Sequence, residues 1–527
     1  AAIAAALGLS GCNDDDNNNS NPSVSVTGLT KLDQFVSESE IVSYDPDTRS
    51  MYSIGGNNVL NIVDVNAPDA VSALQAIDLS AYGDGAQSVA ATSSLVAVAV
   101  APEDKTADKG SVVFFDTAGT HLQTVEVGYL PDMVTFSEDG SLVIVANEGE
   151  PSDDYQTDPA GSIGIIDTAD YSYTDLALSG ALTSAADGTE VRLGGTPSND
   201  QVKDLEPEYI TVSGDYAYVT LQENNALAKV DLVNKSIEFI KSFGVKSYDA
   251  ASGNTIDIEE EGEIDMKSFE GLYGLYMPDS IASVSIEGNT YLLTANEGDG
   301  REYIYESDAA DEAACDAEDG DWNADDAVCE VTSFIDESKI SKLDLADSIA
   351  AQFADDNDLK VMTDLGKNAE DRYEALYTYG ARSFSIWDEN GDLVFDSGDA
   401  ISKLIAENQP ELFNQDEGEM DGRSGNKGGE PEALTAGQVG DKYYAFVGLE
   451  RQNVILTYDI TDPTAPTLVE YHNTEAEGNM SPEGMKFVSA AHSPSGEPLL
   501  MVAFEYGTDT APQAVVVYQV ATAEDTE

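Results

Sequence analysis

A module that returns along almost the whole chain restricts this sequence to a repeating β architecture. A Pro followed by Asp or Glu leads into an apolar alternating run, a second run ends near Glu, and a third ends in Asp. The clearest copies run from Pro131-Asp132-Met133-Val134 to Val145-Ala146-Asn147-Glu148-Gly149 and from Pro278-Asp279-Ser280-Ile281 to Thr294-Ala295-Asn296-Glu297-Gly298. Looser copies begin at Pro207-Glu208, Pro431-Glu432 and Pro482-Glu483 and reach Glu223, Glu450 and Glu505. The third part recurs as Ile62-Val63-Asp64, Phe114-Phe115-Asp116, Ile165-Ile166-Asp167, Lys229-Val230-Asp231, Ile386-Trp387-Asp388 and Thr457-Tyr458-Asp459. Each is followed by turn residues and another short run, giving about four strands per unit and about seven units.

This pattern predicts an all-β chain: a single β-propeller of about seven four-stranded blades, with long loop insertions. One strand is missing at the C-terminal end, where the series stops at Val515-Val516-Val517-Tyr518, and a spare one, Val24-Ser25-Val26-Thr27-Gly28-Leu29, lies at the N-terminal end. The spare strand is expected to complete the last blade and close the ring, leaving no open sheet edge there.

Acidic residues number 100 against 24 Lys plus Arg, a formal net charge of -76. Such a field repels nucleic acid and attracts cations, so no nucleic-acid partner is expected. Residues 1–12 pair an apolar small-residue run with Leu9-Ser10-Gly11-Cys12, which resembles the end of a bacterial lipoprotein signal with lipidation on Cys12. Residues 13–23, almost all Asn, Asp and Ser, read as a solvated tether, 24–520 as the propeller, and 521–527 as an acidic tail. The expected address is the outer membrane, on its periplasmic face or at the cell surface, of a bacterium, the chain being monomeric and held to the membrane through the lipid.

Insertions interrupt the module at about 299–380 and 399–430, with a shorter polar one at 187–204. The first holds Cys315 and Cys329, close enough in an exported chain to form a local disulfide. It also holds an expected strand at 331–345 and an expected helix at 347–353; the second holds an expected helix at 401–408 and a Gly-rich loop at 421–429.

The segments Tyr129-Leu130-Pro131-Asp132-Met133, Ala146-Asn147-Glu148-Gly149-Glu150-Pro151, Ala381-Arg382-Ser383-Phe384-Ser385-Ile386-Trp387-Asp388, Gly448-Leu449-Glu450-Arg451 and Ser481-Pro482-Glu483-Gly484 together resemble the choice-of-anchor I family. Its members are similar to mesenchyme-specific cell-surface glycoproteins, and some related chains carry alkaline phosphatase names. The resemblance implies an exported propeller held at a surface, and it gives architecture more firmly than activity.

The first strand of each blade lines a propeller's channel, so acids at equivalent positions should converge. One set is Asp132, Glu208, Asp279, Glu432 and Glu483; the other is Glu148, Glu223, Glu297, Glu450 and Glu505. Carboxylates gathered in a confined mouth require cations, protons or Arg, and hard oxygen ligands suit Ca²⁺ or Mg²⁺. Against that stands the plainer role of turn-initiating acids that accept backbone hydrogen bonds. Arg301, Arg382 and Arg451 either neutralise the repeat acids or clamp a phosphate group. With three His, none beside a repeat motif, and no His-Glu-x-x-His, Gly-x-Ser-x-Gly or Walker-type loop, zinc and triad chemistry are not indicated. The leading expectation is a surface-anchored binding or scaffolding module stabilised by Ca²⁺, with a protein, glycan or phosphate-bearing ligand. The alternative is a metal-dependent phosphoesterase at the channel mouth.

Overall fold

A computed structural model describes residues 24–525, apart from 195, 199, 325, 326, 355 and 507–511. Residues 1–23, with the lipobox and Cys12, and the last two residues of the acidic tail lie outside that set.

Strands dominate, and among the described residues seven sheets hold four or five strands each. Their first repeat strands are Ile41–Asp45, Gly85–Ala91, Pro131–Phe136, Ile210–Ser213, Ile281–Ile286, Pro431–Val439 and Met480–Val488. Within a sheet the chain runs as an antiparallel meander, as in Pro131–Phe136, Leu142–Asn147, Ser162–Asp167 and Tyr173–Ala177. Second and third strands are apolar on both faces, since each sheet packs against a neighbour on either side; Val96–Ala101 is buried at every position. Fourth strands are largely solvated, and Ser72–Asp78 and His121–Glu126 are exposed along most of their length.

The cores lie between sheets. Val98, Val100 and Phe115 pack on Tyr52 and Ile62 of the first sheet, while Phe114 and Val112 on the opposite face pack on Val143 and Val145 of the third. The same relation recurs between each later pair. It also joins the last sheet to the first, where Val488, Met501 and Val517 pack on Val42, Met51 and Val63. Each such aliphatic side chain contributes about 1.5–3 kcal/mol by burial.

The spare N-terminal strand is longer than the sequence indicates. Val24–Val36 pairs antiparallel with Ala514–Glu524, Leu29 opposite Val520, in the order N-terminal strand, Ala514–Glu524, Leu499–Tyr506, Met480–Val488. The backbone N–H of Leu29 also donates to Glu470 of the sixth sheet at 2.7 Å.

Insertions build on this frame. The helix expected at 401–408 is present as Ala400–Asn408, with Ile401 and Ile405 buried between the fifth and sixth sheets. A disulfide joins Cys315, in the short helix Glu312–Asp316, to Cys329 in a small sheet of Glu302–Ser307, Asp321–Asn323 and Val328–Ile335. The strand expected at 331–345 instead ends at Ile335. A separate strand, Glu337–Lys339, pairs with Lys360–Met362 and runs into a 3-10 turn at Ile340–Lys342. The helix expected at 347–353 is a single 3-10 turn, Ala350–Gln352. So short a segment, without a side-chain cap, gains too few hydrogen bonds to offset helix nucleation, and Ile349 and Phe353 instead anchor it in a local core. That core also takes Tyr248, Ile256 and Phe269 from a segment between the fourth and fifth sheets that the sequence reading did not set apart.

Buried ion pairs fasten the insertions together. Arg192 donates to Asp336 at 2.6 Å and, through two nitrogens, to Asp364 at 3.0 and 3.1 Å. Arg192 and Asp336 are almost fully buried, so removing the cation strands a carboxylate away from water. Arg192→Ala is expected to cost about 3–5 kcal/mol. Chemical denaturation should show that loss, with Arg192→Lys recovering only part because one ammonium cannot serve both carboxylates.

Candidate functional site

The acids at or just before the start of the first repeat strands do converge. One cavity of about 270 Å³ is lined by Asp132, Asp279, Glu432 and Glu483 together with Glu40, Gln87 and Glu505. A second, of about 450 Å³, shares Asp132 and Asp279 with it and adds Glu148, Glu208, Glu223 and Glu206. Tyr209 lines both.

Local backbone geometry explains why these side chains point inward. Pro131 pairs with Asn147 and Met133 with Ala146, so Asp132 is the extra residue of a β-bulge; Gln87 occupies the same kind of bulge between Ala86 and Ser88. The register also breaks between Pro431 and Leu434 and between Pro482 and Met485, at Glu432 and Glu483. A bulge bends the strand and re-aims a side chain. Adjacent rims are tied by hydrogen bonds at the same level: Gly484 N–H to the Glu40 carbonyl at 2.8 Å, the Thr220 hydroxyl to the Asp279 carbonyl at 3.3 Å, and the Ser280 hydroxyl to the Glu432 carbonyl.

Glu40 and Gln87 escaped the sequence reading because Ser39 and Ala86 stand where the other repeats have Pro. The apolar spacing after them, Ile41-Val42-Ser43 and Ser88-Val89-Ala90, carries the signal that could have found them. Glu206 and Glu430 were missed because each lies two residues before a ring acid, in irregular backbone.

Carboxylate oxygens approach one another in overlapping groups. Those of Asp279, Glu297 and Glu432 lie within 4.8 Å of one another, as do those of Glu297, Glu430 and Glu450, and those of Glu432, Glu450 and Glu483. The groups are not equally compensated. Lys427 bonds Glu297 at 2.5 Å and lies 3.7 Å from Glu430; Arg423 bonds Glu430 through Nε at 2.6 Å; Arg451 reaches Glu450 at 3.3 Å and Glu430 at 3.5 Å. These cations hold Glu430 below the usual carboxylate range against the opposing effect of burial. No basic side chain among the described residues forms an ion pair with Asp279, Glu432 or Glu483.

Their environment favours the protonated form. Burial, reinforced by neighbouring carboxylates, pushes Asp132 and Asp279 up to about 7 and raises Glu148, Glu208, Glu432 and Glu483 well above the ordinary value. Burial also pushes Glu297 up to about 8, although Lys427 opposes it. Glu223 and Glu450 are raised as well, chiefly by burial. Glu208 Oε1, Glu223 Oε2 and Glu432 Oε2 are buried without a hydrogen-bond donor. Two facing carboxylates cannot supply one to each other, so a proton or a metal ion must sit between them.

The three arginines occupy different settings. Arg301 is buried, donates to Glu206 at 2.5 and 2.9 Å, and lies 3.5 Å from Asp204. Arg382 is also buried and donates to the backbone carbonyls of Asp257, Ser424 and Asn426 at 2.9, 2.6 and 2.7 Å, so it organises the Gly-rich loop. Arg451 is half-buried beside Glu430 and Glu450.

A carboxyl whose pKa rises on folding stabilises the fold fully below its unfolded value near 4, and that contribution is lost as pH rises through the folded value. In chelator, thermal stability should therefore fall between about pH 5 and pH 8. Glu432→Gln should flatten this dependence and raise the midpoint at pH 8; an unchanged profile would mean the ring acids do not repel one another.

Residues 40–463 match the choice-of-anchor I domain family. Gigasin-3a of Magallana gigas is 30% identical over 175 residues, 29% of this chain, and the match spans 61% of that relative's length. Among solved structures, Kuenenia stuttgartiensis hydrazine synthase aligns at 12% identity and TM-score 0.41 over 91% of this chain and 97% of its own. The WD40 repeats of RRP9 align at 8% and 0.44, covering 94% and 97%; the Cps50 (Swd1) β-propeller domain of Myceliophteria thermophila aligns at 9% and 0.44, covering 94% and 100%. With an insertion-bearing all-β frame, repeat acids gathered at one mouth, and a family match over most of its length, the chain belongs to the choice-of-anchor I domain family.

Proposed function

We propose that the seven sheets are the blades of a closed β-propeller, that Val24–Val36 completes the last blade, and that the protein is a surface-anchored binding module whose mouth holds Ca²⁺. The observation that carries the reading is the acids Asp279, Glu432 and Glu483, which no basic side chain among the described residues pairs with, in overlapping carboxylate groups of a chain already strongly anionic. The donor set fits: every candidate ligand is a carboxylate oxygen, and Glu432 Oε2 is buried with no other partner. Ca²⁺ takes 6–8 oxygen ligands in flexible geometry, which suits side chains gathered from several separate strands. A bound ion would draw the blades together at the rim and leave part of its shell to a ligand from outside.

The identity of that ligand follows the mouth's chemistry: an oxygen-rich group of a protein or glycan able to share the cation. Phosphate-ester hydrolysis is less well served, because Arg301 directs Nε and Nη2 at Glu206 and Arg382 directs its donors at backbone carbonyls. A lipid on Cys12 supplies the anchor in this reading.

Calorimetric titration of chelator-treated protein with Ca²⁺ tests the proposal. Saturable binding is expected, with stability raised by about 2.7 kcal/mol at a hundred times Kd. Glu432→Gln and Glu483→Gln should each weaken binding by tenfold or more, and Asp392→Asn, on an exposed turn, should not. Equal affinity in all three variants would remove the site, and chelator-sensitive turnover of a chromogenic phosphate ester would favour the phosphoesterase instead.

A further inference from the structure

Beyond the carboxylate ring the channel changes character. Three residues along each first strand from the ring position stand Ser43, Thr135, Thr211 and Thr435, Ala in two further sheets, and Lys486 in the seventh. They line a cavity of about 310 Å³ to which every one of the seven sheets contributes a strand. Lys486 is the only cationic residue in that lining, and Glu138 the only acidic one.

Lys486 is solvent-accessible while Met485 beside it is buried, as strand alternation requires of a side chain facing the channel. Among the described residues nothing accepts a hydrogen bond from its ammonium and no carboxylate pairs with it. Other enclosed lysines of this acid-rich chain are engaged: Lys427 by Glu297, and Lys246 by the carbonyls of Ala381 and Gly398. The channel walls lower the pKa of Lys486, with no neighbouring acid to raise it. Reached by solvent and unpaired within the protein, the ammonium is open to an anion that enters the channel.

Hydroxyls stand ready beside it. Thr435 belongs to the preceding sheet and Ser43 to the following one, at the same repeat position. Ser43 accepts the Ala91 N–H at 3.0 Å, leaving its own hydrogen free to donate, and Thr135 and Thr435 make no side-chain hydrogen bond among the described residues. Thr211 is already committed to Ser283 at 2.9 Å. The ring acids lie three residues away, about 10 Å along a strand, which is about one Debye length at 0.1 M salt.

We propose that the channel holds a small oxyanion of the phosphate or sulfate class, bound by the Lys486 ammonium and the hydroxyls of Ser43, Thr135 and Thr435. The site is separate from the acidic mouth and needs no metal, so it stands or falls independently of the Ca²⁺ reading.

Calorimetry with inorganic phosphate on the whole chain, in metal-free buffer with chelator, tests it. Saturable one-to-one binding is expected, weakened at least tenfold in Lys486→Met and unchanged in Asp392→Asn. Phosphate should also raise the melting temperature of the parent protein but not of Lys486→Met. Should that variant fail to fold, phosphate protection of Lys486 from acetylation in the parent protein, read by mass spectrometry, replaces it. Absence of saturable binding, equal affinity in Lys486→Met, or acetylation of Lys486 unaffected by phosphate would overturn the proposal.

Discussion

Repulsion among carboxylates brought to one mouth is the constraint around which this molecule is arranged. The repeat places an acid at the start of successive sheets, and packing of those sheets on one another carries the acids inward together. Two charges 4 Å apart repel by about 4 kcal/mol at an effective dielectric constant of 20. Several such contacts rival the whole stability of an ordinary domain, so the fold tolerates them only with protons or cations supplied at the rim.

Part of that supply comes from the insertions. Lys427 and Arg423, in the Gly-rich loop, reach Glu297 and Glu430, and Arg382 ties that loop, through the carbonyls of Ser424 and Asn426, to the carbonyl of Asp257. Arg301, at the start of the longest insertion, serves Glu206 on the opposite part of the rim. The excursions thus neutralise one sector of the mouth and leave the sector of Asp279, Glu432 and Glu483 unmatched. That asymmetry marks the sector in which the proposed cation would sit.

Strands and ring acids were legible in the sequence for a common reason: both follow a repeat, and burial on both faces forces second and third strands to be apolar. Asp132, Asp279, Glu432 and Glu483 are marked by a preceding Pro, whereas Glu40 and Gln87 follow Ser and Ala and needed the apolar spacing to betray them. What the insertions do was not legible. The core around Tyr248, Phe269 and Phe353 joins residues about a hundred positions apart, and no local period records such a contact. The expected helix at 347–353 failed for a related reason, since its apolar residues serve that distant core through a 3-10 turn. The disulfide was readable because both cysteines fall in one short acidic segment.

Anomalous diffraction from crystals soaked in a lanthanide, a heavy stand-in for Ca²⁺, tests the central claim most directly. A strong peak bounded by the carboxylates of Asp279, Glu432 and Glu483, with metal–oxygen distances of about 2.3–2.6 Å, is the predicted result. A rim without a peak at saturating lanthanide, its carboxyl groups paired through shared protons, would contradict it.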